Sequence, residues 1–199
     1  MFFVIEGADG TGKSTLANAL STSTGGVVVN APSARLKPYK LWIDANASGS
    51  LHYRFYKKCM ADLSAEAKLF VSNGSVVLAD RYWYSTVATH RALGVQCEAT
   101  EFDGCLRPDI VLYLIADPSV RGTRMKSRGL DQNDLRMLDT HQELARHFDE
   151  LLPEMTRIID TTFLDVRDMV AAALEMLRES VPNRTASHAQ GVAHGVLLS

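Results

Sequence analysis

Residues Gly7–Ser14 read GADGTGKS and match G-x-x-x-x-G-K-[ST], the pattern of a phosphate-binding loop. The stretch follows the apolar residues Phe2–Ile5 and precedes a segment of helical character from Thr15 to Leu20. A strand, this loop and a helix in that order distinguish a real site from a chance match. The sequence therefore predicts a chain that binds a nucleoside triphosphate.

The loop offers three kinds of contact to a triphosphate. Its glycines lack a Cβ, so the backbone can wrap around phosphate oxygens while its N–H groups and the next helix N-terminus point at the anion. Lys13 adds a positive charge for the β- and γ-phosphates, and the Ser14 hydroxyl is placed to bind Mg²⁺. We predict that ATP and Mg²⁺ bind at Gly7, Asp9, Gly10, Thr11, Gly12, Lys13, Ser14 and Thr15.

The composition limits the class of protein. The 199 residues suit one α/β domain, and a net charge of −2 argues against non-specific nucleic-acid binding. The three cysteines lack C-x-x-C spacing, which indicates neither a zinc site nor a disulfide framework and favours a cytoplasmic protein. No stretch reaches the ~20 apolar residues that span a bilayer. The first strand starts at Phe2, which is expected to leave no room for a signal peptide.

Apolar runs alternate with helical stretches along the chain. The predicted strands are Phe2–Glu6, Val27–Asn30, Val76–Ala79, Ile110–Leu114 and Arg157–Asp160, and the predicted helices are Thr15–Thr22, Leu51–Ser72 and Asp168–Glu179. Because such strands are buried on both faces, they predict an α/β fold of three layers, with a doubly wound, five-stranded parallel sheet that binds ligands at its carboxyl edge. Residues 1–180 are predicted to form this domain, and residues 181–199 a disordered tail.

Asp80, Arg81 and Tyr82 follow the third predicted strand, at the edge where such sheets bind ligands. A carboxylate there can hold the water shell of Mg²⁺, and the adjacent guanidinium can bind a phosphate through two N–H donors. The alternative is a surface ion pair between Asp80 and Arg81. Their position favours the functional interpretation, with Ser14 and Asp80 as predicted magnesium ligands.

The order of these motifs resembles a known family. Residues 3–15 (FVIEGADGTGKST), Asp80–Tyr82 with Ser85 three residues later, Pro108-Asp109 and Asp117-Pro118 are similar to the thymidylate kinases, which are P-loop nucleoside monophosphate kinases. The resemblance runs from Phe2 to about Asp160, and residues 80–86 (DRYWYST) look closest to the branch that includes the mitochondrial UMP-CMP kinases. It implies phosphorylation of a pyrimidine nucleoside or deoxynucleoside monophosphate by ATP with Mg²⁺.

The resemblance also implies roles for individual residues. Asp9 is expected to meet the acceptor sugar or the Mg²⁺ network, and Arg81 to hold the acceptor phosphate. Phe55 lies about twenty-five residues before Asp80, where the family has the phenylalanine that stacks on the acceptor base; a core role is its alternative. The predicted substrate-binding residues are Phe55, Arg81, Tyr82, Ser85, Thr89 and His90.

Three departures from the family pattern limit the substrate prediction. Cys59 stands where the family has an arginine that reads the thymine edge, and a thiol supplies no charged, forked donor. Ala31 replaces an acidic residue, and Thr89-His90 replaces a Tyr-Gln pair whose tyrosine crowds the sugar 2′ position. Kinase chemistry fits these changes, whereas thymidine specificity does not follow from them.

A basic segment comes after the fourth strand. Five cations lie within sixteen residues, at Arg121, Arg124, Lys126, Arg128 and Arg136. In a chain of net negative charge this favours a short mobile lid over the triphosphate, with a loop at Ser127–Asp134, more than a solvated helix face. Gly10 occupies the place of a P-loop catalytic arginine, so the resemblance implies a lid arginine, Arg128 first and Arg124 second. The predicted catalytic residues are Lys13, Asp9, Arg128 and Arg124.

Two other functions stay open at this point. One is a kinase for a nucleoside or another small hydroxyl compound; such relatives place a carboxylate base near strand two, where this chain has Ala31. The other is a P-loop regulator that hydrolyses its bound nucleotide slowly. Arg81 and the basic segment suit the binding of an acceptor phosphate better than they suit such a regulator. The sequence does not fix the base, the sugar or the oligomeric state, and a homodimer is compatible with it.

Overall fold

The structure is a computed structural model that describes residues 1–130 and 140–180. Its strands are β1 Phe2–Gly7, β2 Val27–Asn30, β3 Val77–Asp80, β4 Ile110–Ile115 and β5 Thr156–Asp160. Its α-helices are α1 Lys13–Thr24, α2 Lys37–Asn46, α3 Gly49–Ser72, α4 Trp83–Ala92, α5 Pro118–Arg128, α6 His141–Leu151 and α7 Val166–Ser180, with a 3₁₀ turn at Ala99–Phe102. The predicted tail and the second half of the predicted lid loop, residues 131–134, lie outside the described residues.

All five strands are parallel and follow the order β2-β3-β1-β4-β5, which confirms the doubly wound α/β sheet. β1 is central, and its end lies between β3 and β4, with Ile5 beside Asp80 and Gly7 beside Leu114. Connections leave this point toward both edges of the sheet, which opens a crevice at the carboxyl ends of β1 and β3. The phosphate-binding loop follows β1 and opens into that crevice.

Alternate residues of each strand pack into two apolar layers. Val4 and Ala79 face the layer formed with α3, α4 and α6. Ile5 and Leu78 face the opposite layer, formed with α1 and α7. Because both faces of the sheet are covered, β1 is buried along its whole length, as its continuous apolar run predicts.

Three helices that line the site, α2, α4 and α5, were not among the predicted helices. In α4 every residue from Trp83 to Ala88 is buried, so no polar face marks a helical period in the sequence. In α2, Leu41 and Trp42 are 81% and 60% exposed while Asp44 is buried, so its apolar pattern does not identify the inner face. Within residues 1–130 and 140–180, none of the helices has the length and apolar character needed to cross a bilayer.

Candidate active site

A cavity of about 740 Å³ lies at the carboxyl edge of the sheet. The phosphate-binding loop, the start of α1 and the end of β3 form its floor, and helices α2, α3, α4, α5 and α7 contribute to its walls. It brings together most of the residues predicted from the sequence: Asp9, Gly10, Gly12, Lys13, Ser14, Thr15, Asp80, Arg81, Ser85, Thr89, His90, Arg124 and Arg128. Strands far apart in sequence thus converge on one site.

The phosphate-binding loop depends on glycine where the backbone comes close to its neighbours. A Cβ on Gly7 would lie 2.3 Å from the carbonyl oxygen of Leu114, and one on Gly10 would lie 2.7 Å from that of Arg121. Both glycines also have positive φ angles, which side-chain-bearing residues rarely adopt. Gly7 and Thr11 do not line the cavity, so they shape the loop from behind.

Lys13 lies at the start of α1, and its side chain is buried against the loop. Its Nζ donates to the carbonyl oxygen of Ala8 at 2.7 Å. Burial, followed by the nearby charge of Arg81, lowers the pKa of Lys13 to about 7, although the carboxylates around it oppose that shift. A phosphate anion in the cavity would favour the charged amine, as a nucleotide-binding lysine requires.

Arg81 turns the chain from β3 into α4 with a φ of 75°, a left-handed conformation that is uncommon outside glycine. Its guanidinium donates to the carboxylate of Asp9 and, at 3.4 Å, to the carbonyl oxygen of Gly7. Burial raises the pKa of Asp9, but the charges of Arg81, Lys13 and two further arginines together lower it by more, so its net direction is downward. Arg81 and Asp9 therefore form a charged pair between the donor loop and α4.

Glu6, which supports the site without lining the cavity, was not among the residues predicted from the sequence. Its Oε1 accepts hydrogen bonds from the backbone N–H groups of Tyr82 at 2.8 Å and Ser85 at 3.2 Å, so a side chain of β1 caps the start of α4. Burial raises the pKa of Glu6 to about 7, against the lowering effects of Arg81 and the two backbone donors. The signal in the sequence was an acidic residue that ends an otherwise apolar strand.

The structure contradicts substrate contact by the Tyr82 side chain. This ring is fully buried, packs edge-on against Phe2, and donates its hydroxyl to the carbonyl oxygen of Leu106 at 3.0 Å. Its neighbour in sequence, Arg81, points to the cavity instead. The prediction was wrong because it placed Tyr82 beside the ligand together with Arg81. Tyr82 follows a buried strand, and its ring packs into the core instead.

The face that α3 turns to the cavity also differs from the prediction. His52, Tyr56 and Met60 line the cavity, and residues four apart share one side of a helix. Phe55 is absent from the lining and packs at the edge of the apolar core, which agrees with the alternative core role. Cys59 is fully buried, and burial raises the pKa of its thiol to about 12.

Helix α5 binds the phosphate-binding loop through its arginines. Arg121 donates to the carbonyl oxygen of Asp9 at 2.9 Å, and Arg124 donates to the carbonyl oxygens of Gly10 at 3.3 Å and Thr161 at 2.8 Å. Arg128 lies on the cavity wall, and its charge helps to lower the pKa of Asp9. The base of the predicted lid is therefore a basic wall beside the loop, whereas Arg136 lies outside the described residues.

The wall residues suit a magnesium ion that is carried by a nucleotide. Ser14 and Asp80 both line the cavity and offer the oxygen atoms that Mg²⁺ prefers. Among residues 1–130 and 140–180 no cluster of three or more His, Cys, Asp or Glu side chains could hold a metal. Mg²⁺ commonly takes one or two protein oxygens and completes its shell with waters and substrate phosphates, so the two groups fit it.

The sequence model of one family, described as thymidylate kinase, matches residues 44–172, which is well over half of the chain. The chain belongs to the thymidylate kinase family. It is accordingly a nucleoside monophosphate kinase, as the sequence analysis predicts. The matched region begins after the phosphate-binding loop, so that loop and the family match are separate observations. The likeness of residues 80–86 to the UMP-CMP kinase branch stays a prediction.

Relatives of the thymidylate kinase family align with most of the chain. The thymidylate kinase of Xylella fastidiosa is 28% identical over 193 residues, which cover 90% of this chain and 91% of that protein. The probable thymidylate kinase of Picrophilus torridus is 27% identical over 175 residues, which cover 82% and 81%.

Solved structures share the fold. The thymidylate kinase of Candida albicans superposes with a TM-score of 0.77 at 20% identity, covering 89% of this chain and 91% of that one. A deoxyadenosine kinase from M. mycoides with bound dATP superposes with a TM-score of 0.69 at 19% identity, covering 89% and 100%. At these identities the likeness concerns the fold alone.

Proposed function

We propose that the enzyme transfers the γ-phosphoryl group of ATP, bound with Mg²⁺, to a pyrimidine nucleoside or deoxynucleoside monophosphate, without a strong preference for dTMP. One observation carries this proposal: the phosphate-binding loop and Arg81 open into the same cavity, where Arg81 pairs with Asp9 of that loop. A donor triphosphate on the loop and an acceptor phosphate on Arg81 would meet across this pair. In-line transfer requires such proximity.

The donor side consists of the loop, the start of α1 and the wall of α5. Backbone N–H groups of residues 10–15 would hold the phosphates, and Lys13 would place its charge at the β- and γ-phosphates. Ser14 and Asp80 would hold Mg²⁺, which when bound supplies positive charge to the phosphate oxygens. The apolar residues Leu164, Val166 and Met169 line the same cavity and could cover the nucleoside part of ATP.

The transfer step asks the protein for positive charge more than for covalent chemistry, since charge spreads over the oxygens of the moving phosphoryl group. Lys13 and Arg128 are the cations on the cavity wall to which we assign this role. Arg124 already donates to backbone carbonyl oxygens of Gly10 and Thr161, so we assign it to holding the loop against α5. Asp9 would orient Arg81 toward the acceptor.

The acceptor side is enclosed by α2, α3 and α4. Ser85, Thr89 and His90 line it from α4, and Tyr56 presents the ring from α3 on which a base could stack. Cys59 is buried and Met60 faces the cavity, so α3 supplies no forked donor for a thymine carbonyl here. Stacking tolerates different bases, and this supports a broad pyrimidine range. The Candida albicans thymidylate kinase, which shares the fold, is described as having broad substrate specificity.

The decisive experiment is ADP formation from ATP and Mg²⁺ with dTMP, dUMP, UMP, CMP, dCMP and the parent nucleosides. We expect turnover with at least one uracil or cytosine monophosphate besides dTMP, and none with the nucleosides. Lys13→Met is the control that excludes a contaminating kinase. Turnover of nucleosides alone would replace the proposal with the nucleoside-kinase alternative. ADP formation without any acceptor product would indicate a hydrolysing regulator. A cytoplasmic location and a homodimer stay predictions.

A further inference from the structure

The carbonyl oxygens of the phosphate-binding loop each have a hydrogen-bond donor in the structure. The N–H groups of such a loop are needed for the phosphates, so its carbonyl oxygens depend on other parts of the protein. From Gly7 to Gly12 the donors are, in order, Arg81, Lys13 with Thr11, Arg121, Arg124, Thr161 and the N–H of Leu16. Thr161 thus serves the carbonyl oxygen of Thr11 from 150 positions away along the chain.

The hydroxyl of Thr161 makes this contact from a buried position. Its Oγ1 donates to the carbonyl oxygen of Thr11 at 2.9 Å, and the carbonyl oxygen of Ile115 at 3.2 Å is a weaker second acceptor. The same Oγ1 accepts from Nη1 of Arg124 at 3.2 Å, and the Thr161 carbonyl oxygen accepts from Nη2 at 2.8 Å. Thr161 is fully buried and does not line the cavity. It therefore acts on the site through its neighbours.

Thr161 begins the connection that leads from β5 to α7. Leu164 and Val166, which follow in this connection and at the start of α7, line the cavity where the nucleoside of the donor would lie. The N–H of Thr161 donates to the carbonyl oxygen of Ile115 at 2.8 Å, which fixes the start of the connection to the end of β4. One buried hydroxyl therefore joins this connection to the phosphate-binding loop and, through Arg124, to α5.

We propose that Thr161 is a positioning residue, whose hydroxyl holds the phosphate-binding loop at a fixed separation from the residues that cover the nucleoside of the donor. A nucleoside triphosphate would contact both surfaces at once. When their separation is set in the folded protein, less binding free energy is lost in ordering them around the ligand. The inference rests on the proposed function in taking this loop and the adjoining wall as the donor site.

Thr161→Val removes the hydroxyl with little change in shape, because a methyl group replaces the oxygen on a side chain that stays β-branched. It takes this donor from the carbonyl oxygen of Thr11, a residue that is 1% exposed. The free variant can relieve the loss by moving the loop, and ATP has to restore the separation when it binds. We expect the Kd of ATP to rise about tenfold and the acceptor KM to stay unchanged. Titration calorimetry with Mg²⁺ and no acceptor measures this Kd without a transfer step.

Tripolyphosphate separates positioning from a general weakening of the site. It carries the phosphates of ATP without the nucleoside, so it needs the phosphate-binding loop alone. We expect its Kd to change little in Thr161→Val, so that the preference of the enzyme for ATP over tripolyphosphate falls about tenfold. Equal weakening of both ligands would mean that Thr161 shapes the loop alone, and would overturn the proposal. An unchanged Kd for ATP would overturn it as well.

Two further variants show whether the hydroxyl itself is responsible. Thr161→Ser keeps the hydroxyl and should restore most of the preference for ATP. Thr156→Val is the matched control, because Thr156 starts β5 and donates its hydroxyl to the carbonyl oxygen of Pro153 at 2.6 Å, outside the cavity lining. It should lower the unfolding temperature and leave both Kd values unchanged. The same loss of preference in Thr161→Ser or in Thr156→Val would contradict the proposal.

Hydrogen exchange of the wild type tests the same link if Thr161→Val does not fold. Tripolyphosphate orders the phosphate-binding loop, and through Thr161 it should slow the exchange of the amides in residues 162–166, which it does not reach itself. Unchanged exchange in these residues would overturn the proposal. If the wild type bound neither ATP nor tripolyphosphate, the proposed function and this inference would both be wrong. Normal binding by the wild type together with an unaltered Thr161→Val variant would overturn the inference alone.

Discussion

Lys13 lies at the bottom of the cavity with its side-chain stem buried, and the residue is 6% exposed. Lys13→Met keeps that stem and removes the charge. We expect kcat to fall at least ~100-fold, since removing one well-placed donor to developing charge costs ~3 kcal/mol. Steady-state ADP formation measures the effect, and thermal unfolding checks the fold. Wild-type turnover in the variant would remove Lys13 from the transfer step.

Glu6 makes stability depend on pH. Its pKa is about 7 in the folded protein and 4.5 ordinarily, so the folded state binds the proton more tightly. The unfolding free energy should therefore fall as the pH rises from about 4.5 to about 7. Glu6→Gln does not titrate there.

Urea unfolding at pH 5 and pH 7.5 measures this contribution. We expect the wild type to lose on the order of 2 kcal/mol relative to Glu6→Gln between the two pH values. Glu175→Gln, on an exposed part of α7, is the control and should follow the wild type. An equal pH dependence in wild type and Glu6→Gln would show that Glu6 is ionised throughout.

At the scale of elements, the junction of β3 and α4 aims Arg81. The Glu6 cap holds the start of α4, and the left-handed turn at Arg81 directs the guanidinium toward Asp9. Arg81→Ala should raise the acceptor KM at least ~10-fold and leave the ATP KM nearly unchanged, because a charged hydrogen bond to the acceptor phosphate is lost.

A control separates this effect from backbone strain. Alanine is strained at a φ of 75°, whereas glycine is not, so Arg81→Gly removes the guanidinium without that cost. Both variants should show the same shift in acceptor KM. If the acceptor KM and the ATP KM rose equally, Arg81 would have a structural role. Its ion pair with Asp9 would then be sufficient to explain the effect of the substitution.

Arg124 and Arg128 of helix α5 make different contacts, so we expect different effects from their substitution. Arg128→Ala should lower kcat with little change in either KM, because its charge would act mainly on the phosphoryl group in transit. Arg124→Ala should lower the unfolding temperature, since it removes hydrogen bonds to Gly10 and Thr161. Lys126→Ala, exposed and outside the cavity lining, is the control. A silent Arg128→Ala with a catalytically impaired Arg124→Ala would reverse the two roles.

At the scale of the whole molecule, selectivity depends on what three helices present to the acceptor base. A site built to hydrogen-bond a polar group can discriminate by ~10⁴ or more, whereas a single methyl contact gives ~10–200-fold. With Cys59 buried and Met60 on the wall, we expect kcat/KM for dTMP to exceed that for the best other pyrimidine monophosphate by less than ~200-fold. A ratio above a thousand would mean that groups such as Lys40 or His90 replace the missing arginine.

The sequence by itself determined the sheet and the donor loop. Phe2–Ile5 and Ile110–Leu114 are apolar throughout because both their faces are covered. The continuous apolar run in the sequence is therefore enough to predict a buried strand. Gly7–Ser14 works as a loop through its own backbone, so a local pattern suffices to recognise it. Membership of the thymidylate kinase family was predicted for the same reason, since its motifs follow the strands in order.

Only the tertiary structure decided which side chains face the acceptor. Whether Phe55 or Tyr56 lines the cavity depends on the rotation of α3 about its axis, and adjacent residues of a helix point about 100° apart. The burial of Tyr82 was hidden within one motif. The contacts of Arg81 with Asp9 and of His52 with His90 join residues 72 and 38 positions apart. Such contacts exist only after the helices pack, because a local sequence pattern carries no information about the distance between two elements in the fold.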